Sequence, residues 1–231
     1  MQVEVCASSI SSIKNAAAAG ADRIELCAAL EVGGLTPSFG LIKEAIALEL
    51  LPIHCLIRPR QGHFFYTKDE ISIIEQNIIS AVALGCHGIV VGIHTQDFNL
   101  DLPLLKKWRL LAENRYLTFH RAFDEMAEWK DGVEILKYFQ FKRVLTSGRA
   151  TNVEKGMANY AEIKDIFGEK LELMPGGGVN ASNILNIAQT VQPSAIHFSA
   201  ASILQAEKSK FSTDRMKIDE QKLVSMLKAI S

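Results

Sequence analysis

Glu4-Val5-Cys6-Ala7, near the start of the chain, returns as Glu25-Leu26-Cys27-Ala28. Each copy ends a short β-branched or apolar run, Val3-Glu4-Val5-Cys6 and Arg23-Ile24-Glu25-Leu26-Cys27, and a stretch with helical periodicity lies between them. Strand, helix, strand implies parallel pairing with the helix packed outside. Working outward, the same alternation continues to the end of the chain. Strands are expected at 3–6, 23–27, 53–57, 88–91, 117–120, 143–146, 171–174 and 195–198. Helices are expected at 9–19, 39–48, 69–84, 103–111, 130–139, 158–167 and 181–190, with a last one at 219–230. Eight strand–helix units in 231 residues fit a closed (β/α)8 barrel, which typically needs about 250. The rival, an open doubly wound sheet, normally carries Gly-x-Gly-x-x-Gly after its first strand. Here Cys6-Ala7-Ser8-Ser9 stands in that place. No linker or low-complexity tract divides the chain, so the expectation is a single TIM-barrel domain over 1–231, with 207–215 as a polar surface loop.

Composition narrows the function. Hydrophobic residues make up 48% of the chain, Lys+Arg number 25 and Asp+Glu 26, and no long basic run occurs. That composition argues against disorder and against a dedicated nucleic-acid binder. No stretch approaches the roughly 20 apolar residues of a membrane span. The start has neither a basic nor an apolar leader region, so the expectation is a cytoplasmic protein. Its four cysteines, none in a Cys-x-x-Cys pair, then read as reduced thiols. Hydrophobic helix faces leave room for a homodimer.

Strand residues alternate between faces. The purely apolar set, Val3, Val5, Ile24 and Leu26, should meet the helices. Glu4, Cys6, Glu25 and Cys27 then point into the barrel, together with His54, Arg58, Thr118, His120, Glu172, His197 and Ser199. Three carboxylates, three imidazoles, two thiols and a guanidinium replace the branched apolar side chains that normally fill such a lumen. Ionisable groups cost several kcal/mol each to bury unless paired or ligated, and clusters of them gather at functional sites.

Several motifs give that lumen chemistry. Inward thiols on neighbouring strands, about 4.8 Å apart, can close on a soft ion, and two thiolates favour Cu(I); the competing reading is two packed apolar cysteines. Cys55, facing outward, and Cys86, ahead of its strand, read as packing residues. Pro175-Gly176-Gly177-Gly178-Val179-Asn180 follows the seventh strand, where barrels often hold phosphate, and Ser199 supplies the other wall; alternatively it is a steric turn. Arg58-Pro59-Arg60 sets two guanidiniums near the mouth, with Phe64-Phe65-Tyr66 as a lid, although Arg58 has a second reading as the neutraliser of Glu25 or Glu4. His120 is suited to acid–base work, Asp124 to orienting Arg121 or His120, and Ser38 to capping the second helix.

As a set these residues resemble the CutC family, known as copper homeostasis proteins. The resemblance is carried by Ala21-Asp22-Arg23-Ile24-Glu25-Leu26-Cys27, 33–38, Arg58-Pro59-Arg60 with Gly62, Phe64 and Tyr66, 119–124, 145–148, 175–178, and His197-x-Ser199-Ala200. It implies a TIM barrel, a cytoplasmic location and copper as the bound ion, with the Cu(I) cysteines falling on Cys6 and Cys27. The sequence departs from the family pattern at the fourth strand, where His87-Gly88 replaces an expected Asp-Gly. The match weakens after Ala201, which leaves the C-terminal segment unassigned. Two functions follow as expectations. One is a Cu(I)-binding protein of copper homeostasis. The other is a lyase, isomerase or epimerase acting on a small phosphorylated or carboxylated compound. In that second case Arg58, Arg60, Gly176, Gly177, Gly178 and Ser199 hold the anion, while Glu25 and His120 move protons.

Overall fold

In a computed structural model of the protein, which describes residues 1–204 and 215–230, the two-residue and 3.6-residue periods separate as the sequence predicts. The elements in order are β1 (Gln2–Ala7), α1 (Ile10–Ala19), β2 (Arg23–Leu26), α2 (Phe39–Ala47), β3 (Ile53–Leu56), α3 (Lys68–Ala83), β4 (Gly88–Val91), α4 (Leu102–Leu111) and β5 (Tyr116–Phe119). There follow α5 (Trp129–Tyr138), β6 (Arg143–Thr146), α6 (Val153–Gly156), α7 (Tyr160–Phe167), β7 (Glu172–Pro175), α8 (Ile184–Val191), β8 (Ala195–Phe198), β9 (Ala201–Leu204), β10 (Arg215–Ile218) and α9 (Glu220–Ala229). Helix starts are set by short polar side chains that accept an otherwise free N–H: Ser9, Ser38, Thr67, Asp101, Asn152 and Asp219.

The ladder of parallel strands runs β7-β6-β5-β4-β3-β2-β1-β8. β7 and β8, its two ends, pack side by side and complete the barrel. Ser194, just ahead of β8, donates to Glu172 of β7 across that seam at 3.3 Å. Val5, Ile24, Leu26 and Ile89 join one apolar cluster with Ile13, Ile42, Ile74 and Leu105 of the surrounding helices. The outward face is therefore the apolar one, and the polar alternates turn inward. Register places Glu4 beside Arg23 and His197, and Cys6 beside Glu25, which itself neighbours His54.

The unusual His87-Gly88 lead-in has a local explanation. Val3 N–H donates to the Asp22 carboxylate at 2.6 Å, and Ile53 N–H donates to His87 Nδ1 at 3.1 Å. Each acceptor directly precedes the neighbouring strand, β2 for β1 and β4 for β3. An unprotonated imidazole nitrogen thus replaces a carboxylate as the acceptor.

Beyond β8 the chain makes a turn that the sequence reading did not anticipate. Ala200 adopts a left-handed conformation with φ 46°, and β9 then pairs antiparallel with β10. Asp219 N–H returns to the Ala200 carbonyl at 3.1 Å, so α9 docks as the eighth outer helix with the hairpin inserted ahead of it. Of the polar loop expected at 207–215, residues 207–214 lie outside the described residues and Arg215 opens β10. Among the described residues no helix is long and apolar enough to cross a membrane.

Candidate functional site

The lower lumen is an ion network centred on Glu4. Its carboxylate, with no solvent exposure, accepts from Arg23 Nε at 2.6 Å and from His197 Nδ1 at 2.8 Å, and Arg143 approaches to 3.8 Å. Arg143 also pairs with Glu172, and Arg23 reaches Met174 Sδ across the lumen at 3.2 Å. Burial alone would raise the Glu4 pKa, but the hydrogen bond from His197 and the charges of His197, Arg23 and Arg143 hold it well below the ordinary carboxylate range. Arg23 and Arg143 were not singled out from sequence. Their signal was parity: Arg23 lies two residues before inward Glu25 on the same strand.

Above this floor the two thiols meet. Cys6 Sγ is 3.4 Å from Cys27 Sγ and 3.2 Å from Glu25 Oε2. The Cys6 pKa is pushed well above its ordinary value by the hydrogen bond with Cys27, by burial and by the charge of Glu25. Burial also raises the Glu25 carboxyl, against the pull of His197. His197 Nε2 stands 3.7 Å from Glu25 Oε2. Although buried, which lowers an imidazole pKa, His197 is raised by the charges of Glu25 and Glu4. Cys6 Sγ, a Glu25 oxygen and a His197 nitrogen all lie within 4.8 Å of one another. The other two thiols, Cys55 and Cys86, sit in the outer apolar cluster.

A cavity of about 370 Å³ opens above these groups at the C-terminal end of the strands, lined by Cys6, Glu25, His197, Arg58, Phe64 and His120, with Arg121, Gly177, Gly178 and Ser199 at its rim. His120 Nδ1 accepts from Ala122 N–H at 3.1 Å, so Nε2 carries the proton, and this buried N–H has no partner. Burial, helped by the Arg58 charge, depresses the His120 pKa to about 3. Gly92 makes room for this ring, because a Cβ there would collide with it. Arg58 fixes the loops around it by donating to the carbonyls of Val32, Gly34 and Gly62, each at 3.0 Å. It pairs with no carboxylate among the described residues, and its Nε–H is buried and unpartnered. The reading of Arg58 as a neutraliser of Glu25 or Glu4 therefore has no counterpart here.

Other rim residues are engaged elsewhere. Arg60 binds Glu70 and the carbonyls of His63 and Phe65 and does not line the cavity. Asp124 orients Arg121 at 3.0 Å and takes the Thr146 hydroxyl and the Ser147 hydroxyl and N–H, which ties the β5 and β6 loops together. Gly176 is needed for packing, since a Cβ there would strike Leu145 and crowd His197. Gly177 and Gly178 take φ of +85° and +94°, and their N–H groups and that of Ser199 find no acceptor among the described residues.

Fold and site together define a parallel (β/α)8 barrel with an ionic lumen and a mouth that combines thiols, a carboxylate, imidazoles and unpartnered donors. Phosphoribosyl anthranilate isomerase from Thermotoga maritima superposes with a TM-score of 0.63 at 13% identity, covering 100% of this chain and 98% of that one, a likeness of fold alone. The sequence profile of the CutC family matches residues 1–202, and the chain belongs to that family. The family protein CutC of Aliivibrio fischeri is 36% identical over 220 residues, 94% of this chain and 89% of its relative. That of Vibrio cholerae serotype O1 is 39% identical over 208 residues, 89% of this chain and 82% of its relative. A crystal structure of CutC from Streptococcus agalactiae, a protein named for copper homeostasis, superposes with a TM-score of 0.80 at 30% identity, covering 85% of this chain and 97% of that one.

Proposed function

We propose that this protein takes part in copper homeostasis by binding Cu(I) between Cys6 and Cys27 at the base of the barrel mouth. The observation that carries this reading is the 3.4 Å approach of two buried thiols from neighbouring strands. Soft sulfur donors select Cu(I), which accepts two of them. Two thiolates on one Cu(I) stand roughly 4–4.6 Å apart in trigonal to linear coordination at metal–sulfur lengths near 2.3 Å, so the two side chains must swing apart by about 1 Å to admit the ion. A cytoplasmic location accords with four free thiols. Because the Cys6 thiol is held protonated at neutral pH, the ion must displace protons. Cu(I) uptake will release acid and strengthen as pH rises. The test is a competitive Cu(I) titration of the reduced protein: a Cys6→Ser/Cys27→Ser variant should lose at least a hundredfold in affinity, and equal affinity ends the reading.

A second reading is supported by a different observation. The N–H groups of His120 Nε2, Arg58 Nε, Gly177, Gly178 and Ser199 all lack acceptors beside one cavity. A small phosphorylated or carboxylated compound supplies the missing oxygens, with Glu25 as the proton-transfer group of a lyase, isomerase or epimerase and the neutral His120 ring as an Nε2–H donor to developing negative charge. Inorganic phosphate is the simplest probe, and unchanged His120 ring resonances on saturating phosphate would discard this reading.

A further inference from the structure

We infer that Cys6, Glu25 and His197 form a second metal site, for a borderline divalent ion such as Zn²⁺, whose fourth coordination position faces the cavity. The site goes beyond the Cu(I) reading, because it shares Cys6 but leaves out Cys27. Cys6, Glu25 and His197 all line the cavity, and Cys27 does not.

Geometry and tautomer support the assignment. One sulfur, one oxygen and one nitrogen donor converge within 4.8 Å. Tetrahedral ligands at ordinary zinc distances stand roughly 3.3–3.7 Å apart. Cys6 Sγ and Glu25 Oε2 are 3.2 Å apart, and Glu25 Oε2 and His197 Nε2 are 3.7 Å apart, so the strands already hold the donors near that spacing. Glu4 accepts the Nδ1 proton of His197 at 2.8 Å, which leaves Nε2, 3.7 Å from Glu25 Oε2, as the ring nitrogen that can ligate a metal. A carboxylate behind a histidine in this manner fixes ring orientation and raises the basicity of the ligating nitrogen. Arg23 and Arg143 in turn hold Glu4 in place. A mixed sulfur, oxygen and nitrogen set suits a borderline divalent ion better than Cu(I), which prefers thiolates. Three protein donors with one open position match catalytic zinc sites, in contrast to closed structural ones.

The experiment is a titration of the reduced, metal-free, full-length protein with Co²⁺, a spectroscopic stand-in for Zn²⁺. The unsubstituted protein should develop tetrahedral cobalt absorption together with a thiolate-to-cobalt charge-transfer band. Cys27→Ser should keep both features, Cys6→Ser should lose the charge-transfer band, and His197→Gln should weaken binding at least tenfold. Loss of the spectrum in Cys27→Ser, unchanged affinity in His197→Gln, or no tetrahedral spectrum in the unsubstituted protein would each overturn the inference. If His197→Gln does not fold, Zn²⁺ added to the unsubstituted protein must shift the His197 ring nitrogen resonances, and an unmoved ring counts against the site. Cu(I) titrations of the same variants keep the two readings apart, because Cu(I) binding depends on Cys27 and not on His197.

Discussion

The floor and the mouth of this lumen are both rich in ionisable side chains, and they differ in whether the charges face counter-charges and whether the unpartnered atoms border a cavity. On the floor, Glu4, Arg23, Arg143, Glu172 and His197 form one network of opposite charges, and the floor atoms without a hydrogen-bond partner, Arg143 Nη1, His54 Nδ1 and Thr118 Oγ1, belong to residues that do not line the cavity. At the mouth, His120 Nε2 and Arg58 Nε are buried with no partner. An unsatisfied buried polar group costs about 1–3 kcal/mol, a cost that a bound ligand removes. The contrast teaches that polarity inside a barrel does not by itself mark a site. Unpartnered polarity beside a cavity does.

Removing the hub of the floor should have the largest effect. Glu4→Ala leaves the Arg23 guanidinium buried without a counter-charge and takes one of two carboxylates from each of Arg143 and His197, and breaking a buried pair in this way typically costs about 3–5 kcal/mol. Urea unfolding should show a loss of that size. A loss below about 1 kcal/mol would mean that the network adds little to stability.

Acid should come next. His54 is buried and its pKa is depressed by burial to about 4, from 6.5. Between those values the unfolded chain binds a proton that the folded chain refuses, so stability rises with pH across this window and is lost on acidification. The difference amounts to roughly 3 kcal/mol. His197 and Glu25, both raised, contribute with the opposite sign, stabilising at low pH and less as pH rises through their folded values. A His54→Gln variant isolates the first effect: its urea midpoint should vary less between pH 4 and 6.5 than that of the unsubstituted protein. An identical slope would place His54 outside the acid response.

The mouth should respond in binding and hardly at all in stability. His120→Asn keeps an acceptor for Ala122 N–H and removes the unpartnered Nε2–H, so stability should change by less than about 1 kcal/mol. Phosphate affinity should fall by about tenfold, for one lost hydrogen bond to an anion. Unchanged phosphate affinity would erase the distinction between mouth and floor. The smallest effect should come from Arg60→Ala, which breaks a partly exposed pair with Glu70. Such pairs are worth about 0–1 kcal/mol, and phosphate binding should not move. A fall in phosphate affinity would return Arg60 to the anion site.

The thiols show how much of the site was legible. Strand parity alone directs Cys6 and Cys27 inward and Cys55 outward, and their surroundings in the structure follow that parity. Parity also sent His197 inward. It could not reveal that Glu4 would take one ring nitrogen and leave the other for Glu25, because those contacts join residues up to 193 positions apart. Arg58 and Arg60 look alike in sequence. The first donates to three loop carbonyls and borders the cavity, whereas the second is drawn aside by Glu70 from the capping box of α3.

Periodicity by itself determined the eight strand–helix units, the apolar outer face and the polar inner one, because each is a local pattern of side-chain direction along a regular backbone. It missed the β9–β10 hairpin, whose short strands pair with each other, and with no other strand among the described residues, after the left-handed turn at Ala200. Tertiary structure decided which inward groups neutralise one another and which stay open, since partner choice depends on distances across the lumen that no single strand encodes.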